Sequence, residues 1–532
     1  MKRHLLYAVT AFAVALALLA ARTDPRVTAA TTEPTRVPNK SLETFTQILD
    51  LVEQKYVDEV DSQELVYGAI RGMLGTLDPH SSFLDPKTYK EMREEQQGSF
   101  SGLGIVISLK GEDKELTVIS PIEGTPAYRA GIRAGDIIAT IEGETTQGIS
   151  IDDALEKLRG PKGSKITITI QREGYDQPVE YTLMRDDIPT VSVPYAYMIR
   201  PGVGYIRIKN FTQTTDNELE EKIRLLQGQG MEKLILDLRW NPGGLLEQAV
   251  RVSDRFLKQN SMIVYTKGRL ARESDRQYHA VGNTRKLGVP LVVLVNKGSA
   301  SASEIVAGAI QDHDRGLVVG ETTWGKGLVQ TVYPLTGNAG LALTTAKYYT
   351  PSGRLIQRDY HSLEDYVMGD NIAPEDQRET RFTDSGRKVQ GGGGIAPDVV
   401  VSLPEPDKFV DLLERRTAFF DFAVVYTTTH PEAPARGTFK VTNDIVDDFR
   451  SFLQKRKVEF TEKELQANLD YVKLGIKAEI LAYHYGLEEK QKVLSERDVQ
   501  IQKALELLPL ADRPQMANTS RGDSPKENPN RN

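Results

Sequence analysis

Apolar strand-like runs alternate with helical segments in the middle of the chain, and this alternation constrains the fold most strongly. Residues 203–208, 233–238 and 290–295 are rich in Val, Ile and Leu, as buried strands are. A helical pattern follows at 245–256, and another helix is expected to begin at Ser303. Strands that alternate with helices form a sheet covered by helices. The sequence therefore predicts a βαβ core.

Three further segments surround this core. At 97–187, short strand-like runs alternate with glycine turns and one helix, which indicates a compact β-rich module. Residues 41–96 and 406–510 carry apolar side chains at helical spacing with many charges between them. The expected fold is α/β and multidomain, with a βαβ-containing core at 188–405, the β-rich module inserted before it, and helical segments at both ends.

The ends of the chain have the composition of targeting and tail segments. Basic residues precede an apolar run at 5–21, so residues 1–30 are expected to be an export signal. A cleaved signal peptide and a retained membrane anchor both fit its length. Residues 31–40 are expected to be a linker and 511–532 a disordered tail. The expected location is the periplasm or cell envelope.

Composition excludes several classes of function. The chain has no cysteine, which excludes thiol catalysis, disulfides and cysteine-ligated zinc. None of its seven histidines forms a metal-binding pair on a helix, so we expect no metal site. A net charge of −7 with both signs interspersed predicts no nucleic-acid partner.

Glycines at the start of the β-rich module favour carboxylate binding. Gly102, Leu103, Gly104 and Ile105 form a turn whose backbone N–H groups can converge on a carboxylate. Alone, this pattern is equally typical of a turn that enters a strand. Together with the glycines of the stretch 120–136, however, it resembles a PDZ domain. That resemblance implies that residues 102–105 bind the C-terminus of another protein.

A serine-rich turn, NKGSASASE, joins the strand at 290–295 to the next helix. A serine on such a turn projects its hydroxyl, and the first N–H groups of the helix are free to stabilise an oxyanion. The alternative role for a serine here is to cap the helix, and Ser303 with Glu304 behind it suits that role. This assignment leaves Ser301 without a structural role.

A lysine between two glycines follows at Lys326. Residues 320–326 match the phosphate-loop pattern G-x-x-x-x-G-K, but Gly327 stands where Ser or Thr is required, and a strand follows instead of a helix. Nucleotide binding fails on both grounds. Desolvation lowers the pKa of a lysine, and a neutral lysine can act as the base for a serine nucleophile.

Four runs together resemble the carboxyl-terminal processing, or tail-specific, serine peptidases: NKGSASASE, GKGLVQ, LDLRWNPGG and LDPHSSF. The resemblance covers approximately residues 41–402. It implies a serine endopeptidase that cleaves proteins near their free C-termini, with no cofactor. It further implies Ser301 as nucleophile and Lys326, 25 positions later, as base. The alternative is a catalytically silent PDZ-containing scaffold or holdase.

The same resemblance implies supporting residues. Gln330, four positions after Lys326, would hold the lysine by a hydrogen bond. The N–H groups of Ala302 and of either Gly243 or Gly244 would form the oxyanion hole, and the choice of glycine stays open.

Two further expectations concern coupling and assembly. Arg159 matches the region where relatives link occupancy of the PDZ domain to the protease core, although a solvent-exposed charge at a helix end is the alternative. The flanking helical segments imply a homo-oligomer, because helices of this kind dimerise some relatives.

Overall fold

The structure is a computed structural model that describes residues 39–111, 113–282, 286–359, 366 and 378–513. The expected export signal, the linker up to residue 38 and the tail from residue 514 lie outside these residues. The last two residues of the expected linker instead begin a helix, at Asn39. Within the described ranges no helix is both long and apolar enough to cross a bilayer.

The helices of the described residues are numbered here in chain order: α1 (Asn39–Lys55), α2 (Ser62–Gly75), α3 (Pro86–Gln97), α4 (Pro126–Arg129), α5 (Ile151–Leu158), α6 (Thr215–Gly228), α7 (Leu246–Asp254), α8 (Ala271–Ser274), α9 (Ala302–Asp312), α10 (Lys408–Arg415), α11 (Ala418–Thr429), α12 (Asn443–Lys455), α13 (Glu462–Ala467), α14 (Leu469–Tyr485), α15 (Leu487–Ser495) and α16 (Val499–Leu507). Short 3₁₀ helices occupy Thr336–Asn338 and Leu508–Leu510.

The strands are β1 (Ser82–Leu84), β2 (Ser99–Gly102), β3 (Ile105–Lys110), β4 (Glu115–Pro121), β5 (Ile137–Ile141), β6 (Glu144–Thr145), β7 (Lys165–Gln171), β8 (Val179–Met184), β9 (Asp186–Pro189), β10 (Tyr195–Arg200), β11 (Val203–Arg207), β12 (Lys233–Asp237), β13 (Met262–Lys267), β14 (Arg276–His279), β15 (Leu291–Val295), β16 (Leu317–Gly320), β17 (Leu328–Pro334), β18 (Gly340–Tyr349), β19 (Thr380–Phe382), β20 (Lys388–Gln390) and β21 (Val399–Val400).

The chain divides into two compact units, residues 1–72 and 73–532. In the first unit, helix α1 exposes an apolar stripe, because its apolar side chains recur every three residues and each is about half exposed: Leu42, Phe45, Ile48 and Leu51. The expected homo-oligomer stays a prediction.

A six-stranded sheet forms the core of the second unit, in the order β10-β11-β12-β15-β16-β21. All neighbours run parallel except β10 and β11. Helices α6, α7 and α9 cover one face of this sheet, and α16 covers the other. The predicted βαβ core is confirmed. Because loops that follow parallel strands meet at one edge, the segments after β12, β15 and β16 lie together.

A second, antiparallel sheet stands beside this core, with the order β1-β18-β13-β14 and with β17 paired to β18. Sequence analysis did not predict it. Its strands come from distant parts of the chain, since Ser82 pairs with Ala342. This sheet carries the segments after Lys326 and brings the loop at 78–81 close to them.

The inserted β-rich module has its own antiparallel sheet, in the order β3-β4-β5-β7-β8, with β6 paired to β5. Strand β3 is an edge strand. The chain enters the module through β2 and leaves it through β9, and these two strands pair as a separate ribbon. The module is therefore an insertion joined to the rest of the chain by a two-stranded stem.

Helix α11 contacts the inserted module. Lys110, which is buried, places its ammonium 2.6 Å from Asp421 Oδ1 and 3.5 Å from the centre of the Phe420 ring. Gly135 lies so close to α11 that a Cβ atom there would approach Val424 Cγ1 to 2.6 Å. The module thus packs on the C-terminal helices through an ion pair and a close backbone approach.

Candidate active site

The serine-rich turn positions Ser301 at the N-terminus of α9. Helix α9 begins at Ala302, with Ser301 as its N-cap residue, so the expectation that Ser303 caps the helix is wrong. Ser301 has φ 53° and ψ −111°, a conformation that residues other than glycine rarely adopt. Such backbone strain is concentrated at functional sites.

The two neighbouring serines have structural roles. Ser299 Oγ donates to the Leu238 carbonyl at 2.8 Å, and Ser303 Oγ donates to the Asn241 carbonyl at 2.9 Å. Both residues are fully buried, whereas Ser301 is partly exposed. Of the three serines, Ser301 is the one that a substrate can reach.

The carboxylate of Glu304 joins the serine turn to the lysine segment. Its Oε2 accepts the backbone N–H groups of Ser301 (2.7 Å) and Lys326 (2.9 Å). Its Oε1 accepts the Gly325 N–H and the Thr323 hydroxyl, both at 2.6 Å. Burial raises the pKa of Glu304 to about 7, while these hydrogen bonds act in the opposite direction. Four donors on one carboxylate favour its ionised form.

Tyr348 connects the same two segments from another side. Its hydroxyl lies 3.1 Å from the Ser301 carbonyl and within hydrogen-bonding distance of the Lys326 carbonyl. Ser301 and Lys326, 25 positions apart in sequence, are therefore held together by their backbones. The side chains of Ser301, Lys326 and Gln330 make no hydrogen bonds to one another in the described part of the chain. Catalytic hydrogen bonds are often long before substrate binds.

The environment of Lys326 favours its neutral form. Burial lowers the pKa of Lys326, against the opposing charges of Glu304 and Asp78. Burial, with a contribution from the positive charge that Lys326 carries when it is protonated, lowers the pKa of a nearby histidine, His80, to about 4. His80 is thus neutral at physiological pH, and its Nε2 lies 2.8 Å from the Tyr366 hydroxyl.

The loop at 78–81 approaches Gln330 through a threonine. Asp78 accepts the N–H groups of His80 and Ser81 and the hydroxyls of Ser81 and Thr344. Gln330 pairs with Thr344 in the sheet, and its Nε2 lies 3.4 Å from Thr344 Oγ1. Lys326 precedes strand β17, and a register shift follows Val329. A spacing of four residues in a regular strand would place Gln330 and Lys326 on the same face, but this alternation is interrupted here.

The glycine pair contacts the serine turn. A Cβ atom on Gly243 would lie 2.8 Å from Ser301 Cβ and 2.9 Å from Ala302 N, so only glycine fits there. The Gly243 N–H donates to Asn241 Oδ1 at 2.9 Å. The N–H groups of Gly244 and Ala302 have no acceptor within the described residues.

The expected peptide-binding turn has free donors and an open edge beside it. The carbonyls of Leu103 and Gly104 accept the N–H groups of Ala127 (3.1 Å) and Ile122 (2.9 Å). The N–H groups of Leu103 and Gly104 have no acceptor among the described residues. Gly102 ends strand β2, and Ile105 begins the edge strand β3. An incoming peptide can pair with such an edge.

Arg159 contacts the stem of the inserted module. It is the C-cap residue of α5, and its guanidinium lies 4.8 Å from the centre of the Phe100 ring on β2. Its Nε is shielded from solvent without a partner among the described residues. A linking role for Arg159 stays a prediction.

Three residues near the site received no role from the sequence: Asp78, His80 and Glu304. Glu304 follows Ser301 by three positions, which is the spacing of a capping box and so a usable signal. Asp78 and His80 belong to the run LDPHSSF, but more than 200 positions separate them from Ser301. The pairing of β1 with β18 brings these two residues close to Ser301, and no local sequence pattern indicates this pairing.

The sequence matches four models of known families. Peptidase family S41 matches residues 202–367, and a PDZ domain matches 117–172. The N-terminal domain of the activating protease CtpB matches 5–88, and the C-terminal helical domain of a probable PDZ-protease matches 409–466. The PDZ resemblance of the inserted module and the expected fold class are thereby confirmed.

Individual proteins match longer stretches of the chain than any single family model does. The carboxy-terminal-processing protease of Bartonella bacilliformis is 40% identical over 374 residues, which cover 70% of this chain and 77% of the relative. The carboxyl-terminal-processing protease of Synechocystis sp. is 39% identical over 332 residues, 61% of this chain and 75% of the relative. A solved structure, the photosystem II D1 C-terminal processing protease, is 31% identical with a TM-score of 0.36 and covers 69% of this chain and 94% of its own.

Proposed function

Because this chain belongs to peptidase family S41 and is a serine-type peptidase, we propose that Ser301 is its nucleophile and Lys326 its general base. One observation carries the proposal: Glu304 accepts the backbone N–H groups of both residues, so a reachable serine and a desolvated lysine share one anchor. The structural roles of Ser299 and Ser303 support the choice of Ser301.

The proposed reaction is an acyl transfer through Ser301. Neutral Lys326 removes the proton from Ser301 Oγ as this oxygen attacks the carbonyl carbon of the scissile bond. The N–H groups of Ala302 and Gly244 stabilise the oxyanion, since the Gly243 N–H already donates to Asn241. Lys326 then returns the proton to the leaving amine, and water hydrolyses the acyl-enzyme by the same route in reverse. Gln330 is proposed to orient Lys326 once substrate binds.

The PDZ domain is proposed to capture the free C-terminus of the substrate. The unused N–H groups of Leu103 and Gly104 would bind the terminal carboxylate, and the open edge of β3 from Ile105 onward would pair with the preceding residues. Cleavage near the C-terminus follows from this capture. We further propose export to the periplasm or cell envelope, on the basis of the charged start and apolar run of residues 1–30.

Substitution of the two proposed catalytic residues tests the dyad. Ser301→Ala and Lys326→Ala are each expected to lower kcat/KM on the order of 10³-fold or more, measured by mass spectrometry on a peptide with a free, apolar C-terminus. Residual turnover near the wild-type level in either variant would disprove the dyad. A folded protein that binds peptides but never cleaves them would instead be the scaffold or holdase.

Ser303→Ala is the matched control. It removes one hydrogen bond to the Asn241 carbonyl and is expected to cost about 1 kcal/mol of stability while turnover is retained.

The same peptide with an amidated C-terminus tests PDZ capture, because amidation removes the carboxylate without changing the scissile bond. We expect a higher KM for the amide with little change in kcat.

A further inference from the structure

Arg358 carries a buried positive charge that has no ion pair and no side-chain hydrogen bond in the described part of the chain. The residue is only 6% exposed. Its Nε and Nη1 atoms are both shielded from solvent without a partner among the described residues. A guanidinium has five N–H donors, so this group has unused hydrogen-bonding capacity.

Other buried arginines in the structure have partners. Arg354 pairs with Asp312, and Arg387 pairs with Asp314 and Asp398. Arg315, which is partly buried, donates to three backbone carbonyls. A buried charge that lacks such partners is costly. Burial accordingly lowers the pKa of Arg358. Among the described residues, this cost is offset by the rings of Trp324 and Tyr366, whose centres lie 4.4 and 5.9 Å from the guanidinium carbon, and by the charge of Glu304.

The guanidinium of Arg358 lies beside the proposed catalytic segment. Its backbone N–H donates to the Gly325 carbonyl at 3.0 Å, next to Lys326. The guanidinium carbon lies 4.4 Å from the centre of the Trp324 ring, and the Trp324 backbone N–H donates to the Ser299 carbonyl at 2.9 Å. The carboxylates that act on the pKa of Lys326 are those of Glu304 and Asp78. Arg358 is thus a second cation beside Lys326, and within the described residues it makes no ion pair with Glu304 or Asp78, although the charge of Glu304 acts on it.

We propose that Arg358 binds a carboxylate of the peptide substrate. Guanidinium groups pair with carboxylates through two parallel hydrogen bonds, and the stacked indole of Trp324 holds the planar group in place for such a contact. The carboxylate belongs either to an Asp or Glu side chain near the scissile bond or to a chain terminus. This inference rests on the proposed function, because it places the substrate at Ser301.

Cleavage of matched peptides tests the proposal. One series is amidated at the C-terminus and carries Glu or Gln at each position flanking the scissile bond, and a second series compares free with amidated termini. The wild type is expected to favour the carboxylate member of one series about 10- to 100-fold in kcat/KM. In the Glu/Gln series, where every peptide is amidated, Arg358→Gln is expected to bring this ratio close to one. In the series that compares free with amidated termini, the PDZ domain keeps its own preference in both proteins, so Arg358→Gln is expected to lower the ratio only to that PDZ contribution.

A binding measurement without turnover separates this inference from the proposed function. The chain has two tryptophans, so Trp240→Phe leaves Trp324 as the single tryptophan, which can be excited selectively over tyrosine. In a Ser301→Ala background, the carboxylate peptide is expected to change Trp324 fluorescence with a lower Kd than its amide or Gln counterpart. Addition of Arg358→Gln is expected to abolish that difference for the Gln counterpart and, for the amide, to reduce it to the contribution of the PDZ domain. Cleavage by Ser301→Ala would overturn the proposed nucleophile, whereas an unchanged carboxylate preference in Arg358→Gln would overturn only the role of Arg358.

Arg315→Gln serves as the control for a structural role. The Arg315 guanidinium donates hydrogen bonds to three backbone carbonyls. Its loss is therefore expected to lower the melting temperature and to leave the carboxylate preference intact. Arg358→Gln removes an unpaired charge and is expected to lower the melting temperature less. Arg358→Lys, which keeps the charge, is expected to restore part of the preference. A wild type without any preference, or an Arg358→Gln protein as unstable as Arg315→Gln with its preference unchanged, would reject the proposal.

Discussion

Two carboxylates, Asp78 and Glu304, act on the amine of Lys326 from different parts of the chain. Both charges raise the pKa of Lys326, while burial lowers it, and burial prevails. His80 adds no charge to this group, because its pKa lies at about 4. The protonation state of Lys326 therefore controls the rate in the proposed mechanism, and Asp78 is one of the residues that set it.

A pH profile tests the part played by Asp78. The rate is expected to rise with pH as Lys326 loses its proton, because the neutral amine is the base. Asp78→Asn removes a negative charge that favours the ammonium form, so the pKa of Lys326 falls and the rising limb of kcat/KM moves to lower pH.

Ser81→Ala is the control for the pH profile, since it removes a hydrogen bond of 2.7 Å to Asp78 without changing any charge. This variant is expected to lose some stability, while the rising limb of its kcat/KM stays at the same pH as in the wild type. A limb that stays in place or moves to higher pH in Asp78→Asn would contradict the assigned charge effect.

The choice of Ser301 illustrates what the sequence can and cannot predict about single residues. Family spacing selected Ser301 from three serines, and the structure supplies an independent reason in the carbonyl partners of Ser299 and Ser303. The sequence could not predict that Arg358 lacks an ion pair among the described residues, because this depends on which side chains lie near it in the folded chain.

Among the larger elements, buried strands of the core were predictable to within one or two residues, since they are continuous apolar runs. The antiparallel sheet was not predicted because several of its paired strands are far apart in the sequence, as with β1 and β18. The contact between the PDZ domain and helix α11 was likewise hidden, since it depends on an ion pair between residues 311 positions apart, Lys110 and Asp421.

Two glycines test the contact between the PDZ domain and α11. Gly135 and Gly131 both have positive φ, 87° and 78°, so alanine costs each position about 1 kcal/mol of backbone strain. Only Gly135→Ala also drives a Cβ atom into Val424, because nothing lies within 4 Å of a Cβ on Gly131. Gly135→Ala is therefore expected to speed hydrogen exchange in Ala418–Thr429, and Gly131→Ala is not. Equal exchange in both variants would show that the contact is not stabilising.

At the scale of the whole molecule, the C-terminal region does not form a separate layer. Helices α10 to α14 share an aromatic cluster, but α16 returns to the six-stranded core sheet and covers the face opposite α9. Arg239, which follows β12, donates to Asp498 and Gln500 at the start of α16. The sequence pattern of α16 resembles that of its neighbours, so its distant packing partner was not predictable from periodicity.

Two residues of α16 test how far the core depends on it. Ile501 is fully buried against the core sheet, whereas Val499 on the same helix is 40% exposed. Ile501→Ala is expected to lower the free energy of unfolding by about 2 to 5 kcal/mol, and Val499→Ala by no more than about 0.5 kcal/mol. Denaturant unfolding measures both. Equal losses in the two variants would mean that α16 adds little to the core.

The shared carboxylate of Glu304 has a consequence for how the proposed nucleophile and the proposed base stay aligned when the chain between them changes in length. Because one anchor holds both backbones, their alignment does not depend on the length of chain between them. An insertion in the connection between α9 and β16 changes the count of 25 residues and leaves the anchor intact. The relative placement of Ser301 and Lys326 thus depends on their shared contact with Glu304 and does not require an interval of 25 residues.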